Sequence, residues 1–337
     1  MKYITIIDLA RRLNLSKSTV SRALAGDGNV SKETQDRVRE LAQQLGYTRN
    51  DMAVNLRQKQ TKSIGIIIPE IVTPFFMHVV SEVQRELNGR HGYRVLLAQS
   101  NENSDIELAN LRMMEEFRVD GILLSVCSSR NNIPEYLRLK EKGMALVFFD
   151  RIVPQFSASK IEINEYAKSV LLVEHLIEQG RKKIVHIAGP EYIYNSTERL
   201  RGYKKALAKN GIAYDPTYVI PCDLAAEAAA AKITYLLDNN IDFDAVFCFT
   251  ETQALGVKKL LSKQKIAIPD QVAIACMSGT TLSTLVHPTL TSVEQPVDQI
   301  ASAAIQLLLE KIENPTAEDR TIVVDAQIKI RESSAVD

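Results

Sequence analysis

The chain has 337 residues, 45% apolar and 24% charged, with 41 Lys and Arg against 41 Asp and Glu. That length accommodates a small unit plus roughly two further domains with full cores. No stretch is apolar enough to cross a membrane, and the N-terminus starts on a polar, capped helix without a signal peptide's apolar region, so a cytoplasmic protein with no membrane partner is expected.

Three short helices are predicted first. Thr5 and Asp8 give a capping-box start to a helix over 6–13. After Asn14 and Leu15, Ser16 supplies a second N-cap, and the segment SKSTVSRAL (16–24) places Val20 and Leu24 inward with Lys17, Ser18, Ser21 and Arg22 outward. A short helix with a basic, hydrogen-bonding outer face fits a DNA major groove. The third helix starts at Ser31, carries Val38, Leu41, Ala42 and Leu45 on one face, and ends before Gly46.

Charge follows the same division. Residues 1–60 hold eleven Lys and Arg against six Asp and Glu, which leaves thirty against thirty-five in the remainder. A basic end and an acidic body predict salt-sensitive DNA binding by the headpiece alone. Asn50 can cap a short helix to about Arg57 with Ala53 and Leu56 on one face, and 58–62 reads as a linker.

From Thr61 onward, short apolar runs alternate with amphipathic helices. Strands are predicted at 63–68, 93–98, 121–126, 145–150, 183–188, 244–249 and 272–276, and helices at 77–88, 106–117, 166–179 and 225–237. Strict alternation implies parallel sheets with helices on both faces, and a break near Lys160 implies two doubly wound lobes. Ligands in such folds bind beyond the carboxyl ends of strands, which makes the cleft between the lobes the expected effector site. Strand-end candidates are Phe75 and Phe76, which could stack on a ring or pack in the core, then Ser125, and Asp150, whose carboxylate suits sugar hydroxyls or a cationic group.

Enzyme readings fail on spacing. The five histidines (78, 91, 175, 186 and 287) form no ligand cluster, and the chain has no G-x-S-x-G, no P-loop and no G-x-G-x-x-G after a strand. His186, inside an apolar run, reads as a core residue. The four cysteines are widely spaced without C-x-x-C, so buried reduced thiols are expected, with no metal and no cofactor.

The segment ITIIDLARRLNLSKSTVSRALAGDGNVSKETQDRVRELAQQLGYTRN (4–50) resembles the headpiece of the LacI/GalR family of bacterial transcription regulators almost position by position, and the resemblance continues through the chain. It implies an N-terminal all-α helix-turn-helix headpiece (1–49), a hinge helix and linker (50–62), and a two-lobed α/β body like a periplasmic sugar-binding protein. The lobes would be 63–160 with about 291–320, and 161–290 with about 321–337. It implies DNA contact by Thr5, Ser16, Lys17, Ser18, Thr19, Ser21, Arg22 and Asn29, with Leu56 wedging between base pairs in the minor groove. The partners implied are a near-palindromic double-stranded operator, a second copy of the chain, and a sugar-like effector. A body without the DNA-binding role, as in transport, is the competing class; control by a protein partner, or none, is the alternative within the family.

In the cleft the resemblance adds Asn195, Arg199, Leu224, Thr250, Glu251, Ser278 and Gln295, with Arg199 the leading effector contact and a surface ion pair within its own helix as the alternative. Departures bear on the ligand. Thr250 and Glu251 replace a common Asn-Asp, and Cys276, Met277, Ser278 and Gly279 replace Gly-Phe-Asp-Asp, which removes a carboxylate. Ile193 stands where purine-sensing relatives place an arginine. A purine or a simple neutral hexose is disfavoured, leaving a modified, acidic or larger carbohydrate.

Overall fold

The computed structural model describes residues 4–47 and 61–335. It contains two compact units, one up to Thr61 and one from Lys62. The expected hinge helix, with Leu56, lies outside the described residues.

The first unit is α1 (Ile6–Leu13), α2 (Lys17–Ala25) and α3 (Lys32–Gln44). A reciprocal box opens α1: the Asp8 amide donates to Thr5 Oγ1 at 3.3 Å, and the Thr5 amide donates to Asp8 Oδ2 at 2.9 Å. Asn14, left-handed at φ 53°, turns the chain toward α2, where Ser16 Oγ accepts the Thr19 amide at 3.0 Å. Gly26 ends α2 at φ 72°, a conformation that a side chain would strain. The helices close on Leu9, Val20, Ala23 and Val38, all fully buried, with Leu13, Leu24, Leu41 and Leu45 partly covered around them.

The second unit begins with β1 (Ser63–Ile68), α4 (Pro74–Glu86), β2 (Arg94–Gln99), α5 (Ser104–Glu116), β3 (Gly121–Leu124), α6 (Ile133–Glu141), β4 (Ala145–Phe149) and β5 (Ser159–Ile163). It continues with α7 (Glu165–Glu178), β6 (Ile184–Ala188), α8 (Tyr194–Lys209), β7 (Val219–Pro221), α9 (Ala226–Asp238), β8 (Ala245–Cys248), α10 (Glu251–Lys263) and β9 (Ala273–Gly279). The short α11 (Leu282–Leu285), β10 (Thr291–Glu294), α12 (Val297–Glu313), β11 (Thr321–Val324) and β12 (Gln327–Lys329) complete it.

Two six-stranded sheets result, ordered β11-β5-β4-β3-β1-β2 and β12-β10-β9-β8-β6-β7. Their central strands are buried on both faces and therefore read as unbroken apolar runs in the sequence. One departure from wholly parallel sheets is β12, which pairs antiparallel with β10. It enters directly from the end of β11, with no crossover helix to turn it round.

The chain passes between lobes three times, and each passage falls later than expected. β5 pairs with β4, so the first lobe runs through Ile163 rather than stopping at 160. β10 pairs with β9, so the second lobe keeps the chain to Glu294 rather than about 290. β11 pairs with β5, which moves the return from about 320 to 325–326 and divides the run TIVVDAQIKI between the two sheets. The segments misplaced by sequence are short strands of mixed polarity, where burial leaves little periodic signal. Cys127, Cys222, Cys248 and Cys276 are all buried and free.

Leu9→Ala removes the centre of the small headpiece core and is expected to cost about 2–5 kcal/mol there. In hydrogen exchange read by mass spectrometry, peptides from 4–47 should lose protection while those from the body keep it. Equal loss in the body would contradict independent cores.

Candidate functional site

The first candidate surface is the outer face of α2. Lys17, Ser18 and Arg22 are exposed, while Thr19 and Ser21 are half-buried. Local bonds already occupy several of the residues expected to touch DNA. The Thr5 hydroxyl donates to Asp8 Oδ2 at 2.6 Å, and Ser16 Oγ lies 2.7 Å from Ser18 Oγ and 2.8 Å from Thr19 Oγ1. Asn29 donates from its backbone and side-chain nitrogens to Asp27 Oδ1, both at 2.9 Å, closing the turn before α3. Lys17 and Arg22 are thus the cations of α2 that project from a face whose small residues fix its geometry.

The second candidate is a cavity of about 380 Å³ within the body, lined by residues that follow β1, β2, β4, β6, β7 and β8 together with Ser278 of β9. Its size is that of a small-molecule site. Of the expected residues, Phe75, Phe76, Asp150, Asn195, Arg199, Leu224, Thr250, Glu251 and Ser278 line it. Ser125 and Gln295 do not appear in the wall. Ser125 is fully buried at the end of β3, its hydroxyl without a partner. Gln295 sits behind the wall and donates to Asp150 Oδ1 at 3.3 Å and Ser278 Oγ at 3.4 Å.

Arg199 projects from α8 and is only 2% exposed. It makes no ion pair within its own helix. Its Nε donates to Glu165 Oε2 at 2.7 Å and its Nη2 to Glu165 Oε1 at 2.9 Å, a two-pronged pair with the first residue of α7. Nη1 donates to the Phe249 carbonyl, Nη2 also reaches Ser278 Oγ at 3.3 Å, and the guanidinium lies 4.2 Å from the Phe249 ring centroid. Asn195, one turn earlier, donates to Glu165 Oε1 at 2.9 Å and to the Asp150 carbonyl at 3.3 Å.

Asp150 and Ser278 each occupy the left-handed region at φ 58°, turning two strand ends sharply where they meet the cavity. Such backbone strain concentrates where a site requires it. Burial, then the charge of Glu165, pushes the Asp150 carboxyl up to about 6, against the opposing pull of Arg151 and Arg199.

Sequence reading missed the companion pair. Arg151, one residue beyond Asp150, is buried and donates to Glu102 at 2.9 and 2.7 Å while lying 5.6 Å from the Phe76 ring centroid. Its position just past a strand end was the available signal. Phe75 and Phe76 are packed in the core, edge-on to each other at 5.2 Å, and also form part of the wall.

Glu251 is held as scaffold. Its carboxylate accepts from the Thr280 amide at 2.9 Å, the Thr280 hydroxyl at 2.6 Å and the Ser283 hydroxyl. Thr250 caps α10 in a reciprocal box with Gln253. At Gly279 a Cβ would stand 2.1 Å from Ser292 Oγ, so the carboxylate lost from this segment cannot return by a single substitution there.

A three-helix unit with a basic second helix, joined in one chain to a two-lobed body with a polar cleft, defines a ligand-linked DNA-binding protein. Residues 5–50 match the family described as "Bacterial regulatory proteins, lacI family", and residues 173–334 match the periplasmic binding protein-like domain. Catabolite control protein A of Priestia megaterium is 30% identical over 98% of this chain and 99% of its own length. The ribose operon repressor of Haemophilus influenzae is 30% identical over 98% of each. A solved complex of the transcriptional regulator CelR with cellobiose is 27% identical, covers 98% of this chain and 99% of its own, and superposes with a TM-score of 0.74. The chain belongs to the lacI family of bacterial regulators; it is a DNA-binding transcription regulator and not an enzyme. Among the described residues no helix is long and apolar enough to cross a membrane.

Arg199→Ala would strand the buried Glu165 carboxylate, and a loss of about 3–5 kcal/mol is expected in denaturant unfolding of the body. Adding Glu165→Gln should recover part of that loss. A single-mutant cost below about 1 kcal/mol would show that the pair is not structural.

Asp150 carries the opposite sign of linkage from a salt-bridged carboxylate. Its folded-state value is about 6 and its ordinary value 3.8, so its contribution to stability declines as pH rises between them. Asp150→Asn should therefore gain melting temperature relative to the parent on going from pH 4.5 to pH 7.5. A pH-independent difference would contradict this.

Proposed function

We propose that the protein is a cytoplasmic, homodimeric repressor whose affinity for a near-palindromic operator is set by a carbohydrate-type metabolite bound in the cleft. The observation that carries this reading is the cavity itself, bounded by the strand ends of both lobes and furnished with buried, oriented polar side chains. The names of the ribose operon repressor and of the CelR–cellobiose complex support a sugar-like ligand.

Closure of the two lobes on a ligand is the coupling element. The Ser129 amide and hydroxyl of the first lobe donate to the Tyr192 carbonyl of the second at 2.8 and 2.9 Å, and Arg130 donates to the Glu191 carbonyl at 3.2 Å. A ligand that binds one separation of the lobes better than another shifts their population by that difference in affinity. A dimer follows from the size of the reader: α2 spans nine residues and can touch only a few base pairs. Two copies facing successive major-groove turns double the sequence read.

Operator titration with and without a sugar that stabilises the protein in a thermal-shift screen tests the reading. A change in operator affinity of fivefold or more is expected, in line with coupling of about 1–3 kcal/mol. An unchanged affinity would overturn control from the cleft.

Arg22 is assigned a two-pronged contact to guanine, with Lys17 and Ser18 beside it. Arg22→Ala is expected to cost about 1–3 kcal/mol on the specific site and to relax base preference at one position. Equal weakening on specific and random DNA would reassign Arg22 to phosphate contact.

A further inference from the structure

The cavity wall is electrostatically one-sided. Five carboxylates line it, Glu70, Glu102, Asp150, Asp223 and Glu251, against the guanidinium groups of Arg151 and Arg199. Neither arginine is available to an anion. Arg151 is neutralised by Glu102 at 2.7 Å and Arg199 by Glu165 at 2.7 Å. No lysine or histidine lines the cavity among the described residues. Glu251 is satisfied by neutral donors, so its charge is hydrogen-bonded but not cancelled.

Hydrogen-bond capacity points the same way. Asn195 donates its amide hydrogens to the Glu165 carboxylate and the Asp150 carbonyl, and Gln295 donates to the Asp150 carboxylate and Ser278 Oγ. These partners fix which end of each amide is nitrogen. The oxygens left over, Asn195 Oδ1 and Gln295 Oε1, are buried without a partner, on residues 2% and 8% exposed. Of the two, Asn195 belongs to the wall, so the unmet capacity there is that of an acceptor in need of a donor, beside the negative charge of Asp150.

Resting on the cleft as the effector site, we propose that the ligand is a cation, a protonated amine carried on a polyhydroxylated, sugar-like body, with its ammonium group on Asp150. An ammonium supplies three donors and the missing charge at once. A neutral sugar leaves the Asp150 charge unbalanced in a partly desolvated cleft. A sugar acid adds an anion where every cation is already paired, so the acidic class left open by the sequence is disfavoured. Phe75 and Pro190, both in the wall, offer apolar surface for the carbon skeleton.

Calorimetric titration of the full-length protein with matched series tests this. Glucosamine, galactosamine and mannosamine would each be compared with the parent hexose, the N-acetylated amine and the uronic acid of the same configuration. In at least one configuration the free amine should bind about tenfold or more tighter than the parent and the N-acetyl form, with no binding of the uronate. That preference should fall below about threefold in Asp150→Asn, and weaken in the parent protein as salt is raised. The amine and N-acetyl pair on the unmutated protein keeps the test decisive should the variant misfold. A parent hexose or uronate binding as tightly as the amine overturns the charge assignment; if that compound also shifts operator affinity, the proposed function stands. An amine that binds tightly without altering operator affinity leaves the charge assignment intact and overturns the proposed function. No binding in any series overturns both.

Discussion

Arg199 and Glu165 meet beneath the cleft, one from α8 and the other from the first turn of α7, and the surrounding polar groups are oriented by that pair. Through Glu165 the pair fixes Asn195; through Nη1 and Nη2 it fixes the end of β8 at Phe249 and the end of β9 at Ser278. Asn195 and Gln295 carry the connection to Asp150 at the end of β4, in the other lobe. With both charges almost wholly excluded from water, removing one partner costs far more than the pair contributes to net stability. A pair of this kind acts as a fixed reference for the cleft, against which lobe separation can change.

The three passages between lobes give that reference its leverage. They lie at Asn164, at Gln295 and Pro296, and at Asp325 and Ala326, next to or between strands that end at the cleft. Glu165 begins the element just after the first passage, and Gln295 lies on the second. Residues on or next to the passages therefore hold lining residues in place, Glu165 through Arg199 and Gln295 through Asp150 and Ser278, which gives binding a route to lobe geometry.

Much of this was legible in the sequence, for identifiable reasons. α1 and α2 follow from Thr5 and Ser16, whose cap chemistry is local, and β1, β4 and β8 follow from apolar runs that burial on both faces demands. β5 and β10 were missed because SKIEI and TSVE are short and partly polar, and β7 because VIP is only three residues long and ends in proline; in β5, buried Lys160 is accommodated by donating Nζ to the Pro154 carbonyl at 2.9 Å. Arg199 was found through family resemblance, but Glu165 was not, since an acidic residue in a first helical turn has an ordinary explanation in the helix dipole. Glu251 lines the cavity, and its bonds to Thr280 and Ser283, which the sequence did not signal, also make it a brace.

The central claim is that cleft and operator are thermodynamically coupled through one body. Coupling of that kind is reciprocal, so the measurement that tests it most directly is the affinity of the cleft ligand in the absence and in the presence of saturating operator DNA. The account predicts that operator changes the ligand's dissociation constant by the same factor by which the ligand changes the operator's. A ligand affinity identical with and without operator would contradict it.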